Sequence, residues 1–120
     1  MIELLIVVAI IGILSAVGIP IFNKVLDGTR AKSAQTGLES ILLAEEEYKS
    51  INKNYYIPSS SCGDQTNVIN TNLFDGDIIL KNSHFRFCIT GSSSSFTATA
   101  YNKKSGGTDY YIKNSKEKNY

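Results

Sequence analysis

The chain has 120 residues, with 12 Lys or Arg against 11 Asp or Glu and a formal charge of +1. That length is one domain's worth of sequence, and the balance points neither to nucleic acid nor to an acidic solvating tail. One His and two Cys exclude a four-ligand Cys/His zinc cluster by count. A Ser-His-Asp site has only His84 to draw on, and neither common Gly-rich phosphate loop is present.

The charges are unevenly spread. Residues 1–22, MIELLIVVAIIGILSAVGIPIF, carry only Glu3, and the remainder carries 12 bases against 10 acids. As a helix the segment is roughly 33 Å long, enough to cross a hydrocarbon core. A cleaved secretory signal has a basic start, a shorter apolar run and a small-residue cleavage site. This segment starts acidic and runs long, so a retained membrane helix is expected. A carboxylate in an apolar span is costly. Glu3 therefore either lies at the membrane edge in water or has a cationic partner on another chain.

The run Ile2-Glu3-Leu4-Leu5-Ile6-Val7-Val8-Ala9-Ile10-Ile11-Gly12-Ile13-Leu14, continued by Ser15-Ala16-Val17-Gly18-Ile19-Pro20, resembles the N-terminal segment of type IV pilins and the related type II secretion pseudopilins. The resemblance covers about residues 1–50 and fixes a Glu, a Gly and a Pro within one apolar run. It implies a long N-terminal helix packed on a small antiparallel sheet, an α+β architecture. Mature chains of that family usually begin Phe-Thr-Leu-Ile-Glu after a short basic leader. Here Met1 stands where the Leu falls, and the methylated Phe of the family is inferred from resemblance only. Lys24, Arg30 and Lys32 follow the span, and by the positive-inside tendency alone they put the C-terminal part in the cytoplasm. The two cysteines and the resemblance put it outside, and a basic leader on the cytoplasmic side reconciles the two.

By the same resemblance, Glu3 pairs with the N-terminal amine of a neighbouring subunit during assembly. Pro20 removes a backbone donor and is expected to kink or break the helix, while Gly12 and Gly18 each lower helix propensity by roughly 1 kcal/mol. In the filament, extended backbone is expected somewhere in Gly12–Pro20, whereas the monomer is free to be helical there.

Residues 23–52 read as an amphipathic helical half. Ala31, Ala34, Leu38, Ile41, Leu42, Tyr48 and Ile51 recur at three- and four-residue steps, and the helix is expected to stop before Asn52. Glu45-Glu46-Glu47 reads as a solvated acidic face. Residues 53–120 form the head. Residues 55–75, rich in Ser, Asn, Gly and Pro, read as a long loop. Strand-like runs follow at 77–81, 85–91, 95–102 and 108–113, giving three or four antiparallel strands against the helix. Residues 114–120 read as a polar surface tail.

So small a head gains from a staple. Two cysteines after an export-type segment favour a Cys62–Cys88 bridge. It closes a loop of about 25 residues, worth about 3 kcal/mol, and ties the long loop to a central strand. Asp75-Gly76-Asp77 is read as a plain turn before a strand, with calcium as the weaker alternative. His84 is read as a turn residue, and Ser59–Ser61 and Ser92–Ser95 as flexible loops, with O-linked sugar the alternative. The seven Tyr and five Phe are read as core and strand formers, ahead of DNA stacking or electron conduction.

The expected role is structural: a major subunit of an extracellular type IV pilus-like helical filament, a homo-oligomer with functions in adhesion or motility. It catalyses nothing and needs no cofactor. Before assembly it sits in the inner membrane, where a prepilin peptidase and an assembly ATPase of the pilus machinery act. No nucleic acid partner is expected. The open alternatives are a type II secretion pseudopilin, a minor pilin and, from another class, a single-span anchor displaying a binding module.

Overall fold

The computed structural model describes residues 1–59 and 61–120. Its elements are a long helix α1 (Ile2–Asn52), a short helix α2 (Thr66–Leu73) and three strands, β1 (Phe85–Gly91), β2 (Phe96–Asn102) and β3 (Tyr110–Lys113). The architecture is α+β, a long N-terminal helix with a small antiparallel sheet. The chain divides into two compact units, 1–32 and 33–120.

The first unit is helical from Ile2, and Pro20 lies inside the helix without ending it. The expected kink or break therefore does not interrupt the helical run in the single chain. Gly12 and Gly18 are helical as well, with open space around each. A proline inside a membrane-type helix is tolerated when local adjustment re-satisfies the freed carbonyl. Throughout the apolar run the side chains are exposed.

In the second unit, α1 buries Ala34, Gly37, Leu38, Ile41, Leu42 and Glu45. These lie at i, i+3, i+4, i+7, i+8 and i+11, one stripe of a helix. The stripe joins Phe85, Phe87, Ile89, Phe96, Ala98, Ala100 and Ile112 of the sheet in a single core. The expected stripe extended to Ile51, but Ile51 is 73% exposed. Lys53, at φ 68, closes the helix with its N–H on the Lys49 carbonyl at 2.7 Å. That left-handed closure ends the helix beside Ile51.

The sheet is an antiparallel meander in the order β1-β2-β3. Register pairs Phe87 with Ala100, Ile89 with Ala98, and Ala98 with Ile112. Small alanines on the middle strand face large residues on both neighbours, the alternation that lets layers interdigitate. At Gly37 α1 lies close against the head: a Cβ there would lie 3.0 Å from Leu80 Cδ2 and from Phe87 Cζ. Gly91 ends β1 at φ 138, where a Cβ would collide with the Ser95 carbonyl oxygen, so that turn requires glycine.

Three expectations need correction. Residues 77–81 form no strand; buried Asn70 takes up the backbone of Leu80, its amide donating to Leu80 O at 2.8 Å and accepting Leu80 N–H at 2.9 Å. The 55–75 loop contains α2, whose polar sequence TNVINTNL hides a helix behind few apolar positions. Residues 114–120 are tied down. Ile112 bridges Lys118, and the Tyr120 hydroxyl donates to Glu39 Oε1 at 2.9 Å.

Candidate functional site

Two regions carry the residues singled out from the sequence. The first is the apolar segment. It is long and apolar enough to cross a membrane by length and composition, and none of that stretch is buried. Glu3 lies in the first turn of α1 and is exposed. Its carboxylate is near the helix N-terminus, where a negative charge is favoured by the macrodipole. Gly12, Gly18 and Pro20 follow along the same helix. Exposed apolar surface on this scale marks a membrane or protein contact.

The second region is the head. Cys62 and Cys88 form a disulfide, with Cα atoms 5.5 Å apart. It fastens the segment before α2 to β1. The same segment covers the outer edge of β1. Gln65 N–H donates to Phe87 O at 3.0 Å, Gln65 Oε1 accepts Ile89 N–H at 2.8 Å, and Thr66 Oγ1 accepts Phe87 N–H at 3.1 Å. Arg86 Nη1 donates to Cys62 O at 3.1 Å while its guanidinium lies 4.3 Å from the Tyr101 ring centroid. The far edge, on β3, is closed by the C-terminal residues: Tyr111 N–H donates to Asn119 Oδ1 and Lys113 N–H to Glu117 O. Unpaired edges invite other chains to add strands, and this head closes both.

Asp75 and Asp77 are exposed in a turn around Gly76. Asp75 has φ 53 and Gly76 φ 88, and Gly76 N–H donates to Asn70 O. This is plain turn geometry. Among the described residues no group of three His, Cys, Asp or Glu is arranged to hold a metal. His84 is exposed just ahead of β1, its carbonyl accepting Lys103 N–H. Ser92–Ser95 form an ordered turn in which Ser92 N–H donates to Ser95 O, and Ser93 O accepts Tyr55 N–H. Ser59 and Ser61 are exposed, and Ser60 lies outside the described residues.

The acidic run is not a uniform solvated face. Glu46 and Glu47 are exposed, but Glu45 is 0% exposed. Its Oε1 accepts Tyr56 N–H at 3.0 Å, and among the described residues Oε2 has no hydrogen-bond partner. Burial pushes its carboxyl up to about 8, the Tyr56 N–H draws it down and the neighbouring Glu46 charge adds to the rise. The signal was in the register: position 45 continues the stripe of Leu38, Ile41 and Leu42. Nearby, Glu39 is held below the ordinary carboxylate range, chiefly by the Lys118 ammonium at 3.0 Å.

No protein-family model matches this chain, and no curated protein does.

Proposed function

We propose that the chain is the major structural subunit of an extracellular helical filament of the type IV pilus kind. The observation that carries this reading is the apolar segment 1–22, helical from Ile2 and exposed along its length, in a chain whose other unit has a filled core and closed sheet edges. The segment needs an apolar environment. A membrane supplies it before assembly, and like segments of other subunits supply it afterwards, because heterologous contacts that do not close build filaments. The closed edges favour growth through helices over strand addition. In this reading the chain is a scaffold without a catalytic role, processed by a prepilin peptidase and moved by pilus assembly machinery.

Glu3 is the register device. A carboxylate inside an apolar bundle is unstable alone, and the terminal ammonium of a neighbouring subunit removes the penalty. Gly12, Gly18 and Pro20 supply the weak helical stretch that extends on packing. Glu3→Ala tests this directly. The variant stays in the membrane fraction at normal abundance, and filament yield collapses. Normal yield from Glu3→Ala contradicts the reading.

A further inference from the structure

The buried carboxyl of Glu45 is not used by the proposed assembly, and its surroundings are specific. It sits on the buried stripe of α1, wholly out of solvent. Among the described residues only one of its oxygens is bonded, to Tyr56 N–H. That bond belongs to the connection 53–58 between the end of α1 and the segment leading to α2. The rest of the connection is held both to α1 and to the sheet. The Tyr55 hydroxyl donates to Glu46 Oε1 at 3.1 Å, Lys49 Nζ lies 4.7 Å from the Tyr55 ring centroid, and the Tyr48 and Tyr56 rings are 5.6 Å apart. Tyr55 N–H also donates to Ser93 O at 3.0 Å, and its ring meets Phe96 edge-on at 4.8 Å.

We propose that Glu45 is a proton-held latch: its neutral form keeps the 53–58 connection on α1, and its ionisation releases that connection while the sheet stays folded. The physical reason is the unbonded oxygen. A neutral carboxyl tolerates one unpartnered buried oxygen at modest cost, but an ionised one does not, because a buried charge requires several donors or water. Among the described residues one donor is present. Water reaches the charge when the connection lifts, and Tyr55 and Tyr56 leave with it.

The charged and titratable groups around the latch are few. On α1 they are Glu46, which repels an ionised Glu45, with Glu47, Tyr48 and Lys49. On the connection they are Lys53, Tyr55 and Tyr56. Helix α2 and the Ser92–Ser95 turn carry no charged or titratable side chain, and the inner face of the sheet is apolar. Burial and then Tyr48 push the Tyr56 phenol up. Burial pushes the Glu45 carboxyl up to about 8. The inference does not depend on filament assembly.

The test is amide hydrogen exchange by NMR on the full chain in detergent micelles, from pH 6 to 10, corrected for the intrinsic pH dependence of exchange. Protection at Tyr55 and Tyr56 is expected to fall by up to about tenfold per pH unit as the pH rises toward about 8 and to level off above it, while Ala98, buried on the middle strand, keeps its protection. Glu45→Gln, neutral throughout, is expected to show flat protection at Tyr55 and Tyr56. A flat wild-type profile, a simultaneous loss at Ala98, or a Glu45→Gln profile matching wild type overturns the proposal. A carbon-13 titration of the Glu45 carboxyl in the wild-type chain decides the matter even if Glu45→Gln does not fold. A midpoint between pH 7 and 9 is expected, and one below 6 overturns the latch.

Discussion

Gln65 stands beside Ile89 in the place of a neighbouring strand. Its side-chain Oε1 accepts the Ile89 N–H at 2.8 Å, while its own backbone N–H donates to Phe87 O two residues earlier. One glutamine thus satisfies two outward-facing groups of an edge strand. Its Nε2 in turn donates to Ser61 O at 3.0 Å, and the Cys62–Cys88 bridge holds the whole segment in place. The head closes its sheet with side chains where a larger domain would add a strand.

Gln65→Ala leaves the buried Ile89 N–H without an acceptor. A buried donor stripped of its partner costs about 1–3 kcal/mol. Urea denaturation should show a loss in that range. The exposed edge should also make the variant more prone to self-association at high concentration, read by light scattering. An unchanged midpoint would show that water replaces the glutamine without cost.

Gly37→Ala sets two effects against each other. Alanine favours the helix by about 1 kcal/mol over glycine. Its Cβ, however, would sit 3.0 Å from both Leu80 Cδ2 and Phe87 Cζ, and both side chains are buried in the core. Overpacking of this kind costs about 1–3 kcal/mol. The clash wins, with a net loss of about 1 kcal/mol in thermal or urea unfolding. A stabilised variant would mean that Leu80 and Phe87 shift freely.

Stability should depend on pH through Glu45. Its folded carboxyl titrates near 8, against an ordinary value of 4.5. Between those values the unfolded chain has lost the proton and the native chain still holds it. Stability is therefore full below about pH 4.5 as far as this group is concerned. It declines as pH rises, by at most about 1.4 kcal/mol per unit, and levels off above about 8. Glu39 has the opposite sign. Its folded carboxyl is lowered, chiefly by Lys118, so its contribution is present at neutral pH and lost as the pH falls below the carboxylate range. Urea midpoints from pH 5 to 9 should slope downward in the wild-type chain and lie nearly flat in Glu45→Gln. Equal slopes would remove Glu45 as the cause.

Much of this architecture was legible in the residues. The three- and four-residue steps of Ala34, Leu38, Ile41 and Leu42 mark the helical stripe because apolar periodicity reports burial directly. The runs 85–91 and 95–102 alternate as half-buried strands do, and the cysteine pair indicates its own bridge. What escaped depends on tertiary partners. Residues 77–81 have strand-like composition, but Asn70, a residue distant in sequence, captures the backbone of Leu80. Thr66–Leu73 has too few apolar residues to announce a helix, and it is held by its N-terminal link to β1. Glu45 was masked by its neighbours, because a run of three acids reads as solvated unless each position is tested against the helical register. Tyr120 looked like the end of a loose tail, since nothing local reveals that Glu39, far back on α1, receives its hydroxyl.

The most direct test of the central claim is cryo-electron microscopy of material sheared from the native cell surface, with its peptides identified by mass spectrometry. The account predicts long, regular filaments built mainly of this chain. Their N-terminal helices should be bundled at the axis, the backbone extended within Gly12–Pro20, and the Cys62–Cys88 bridge intact in each head. A chain found only in the membrane fraction, with no filament containing it, would contradict the account.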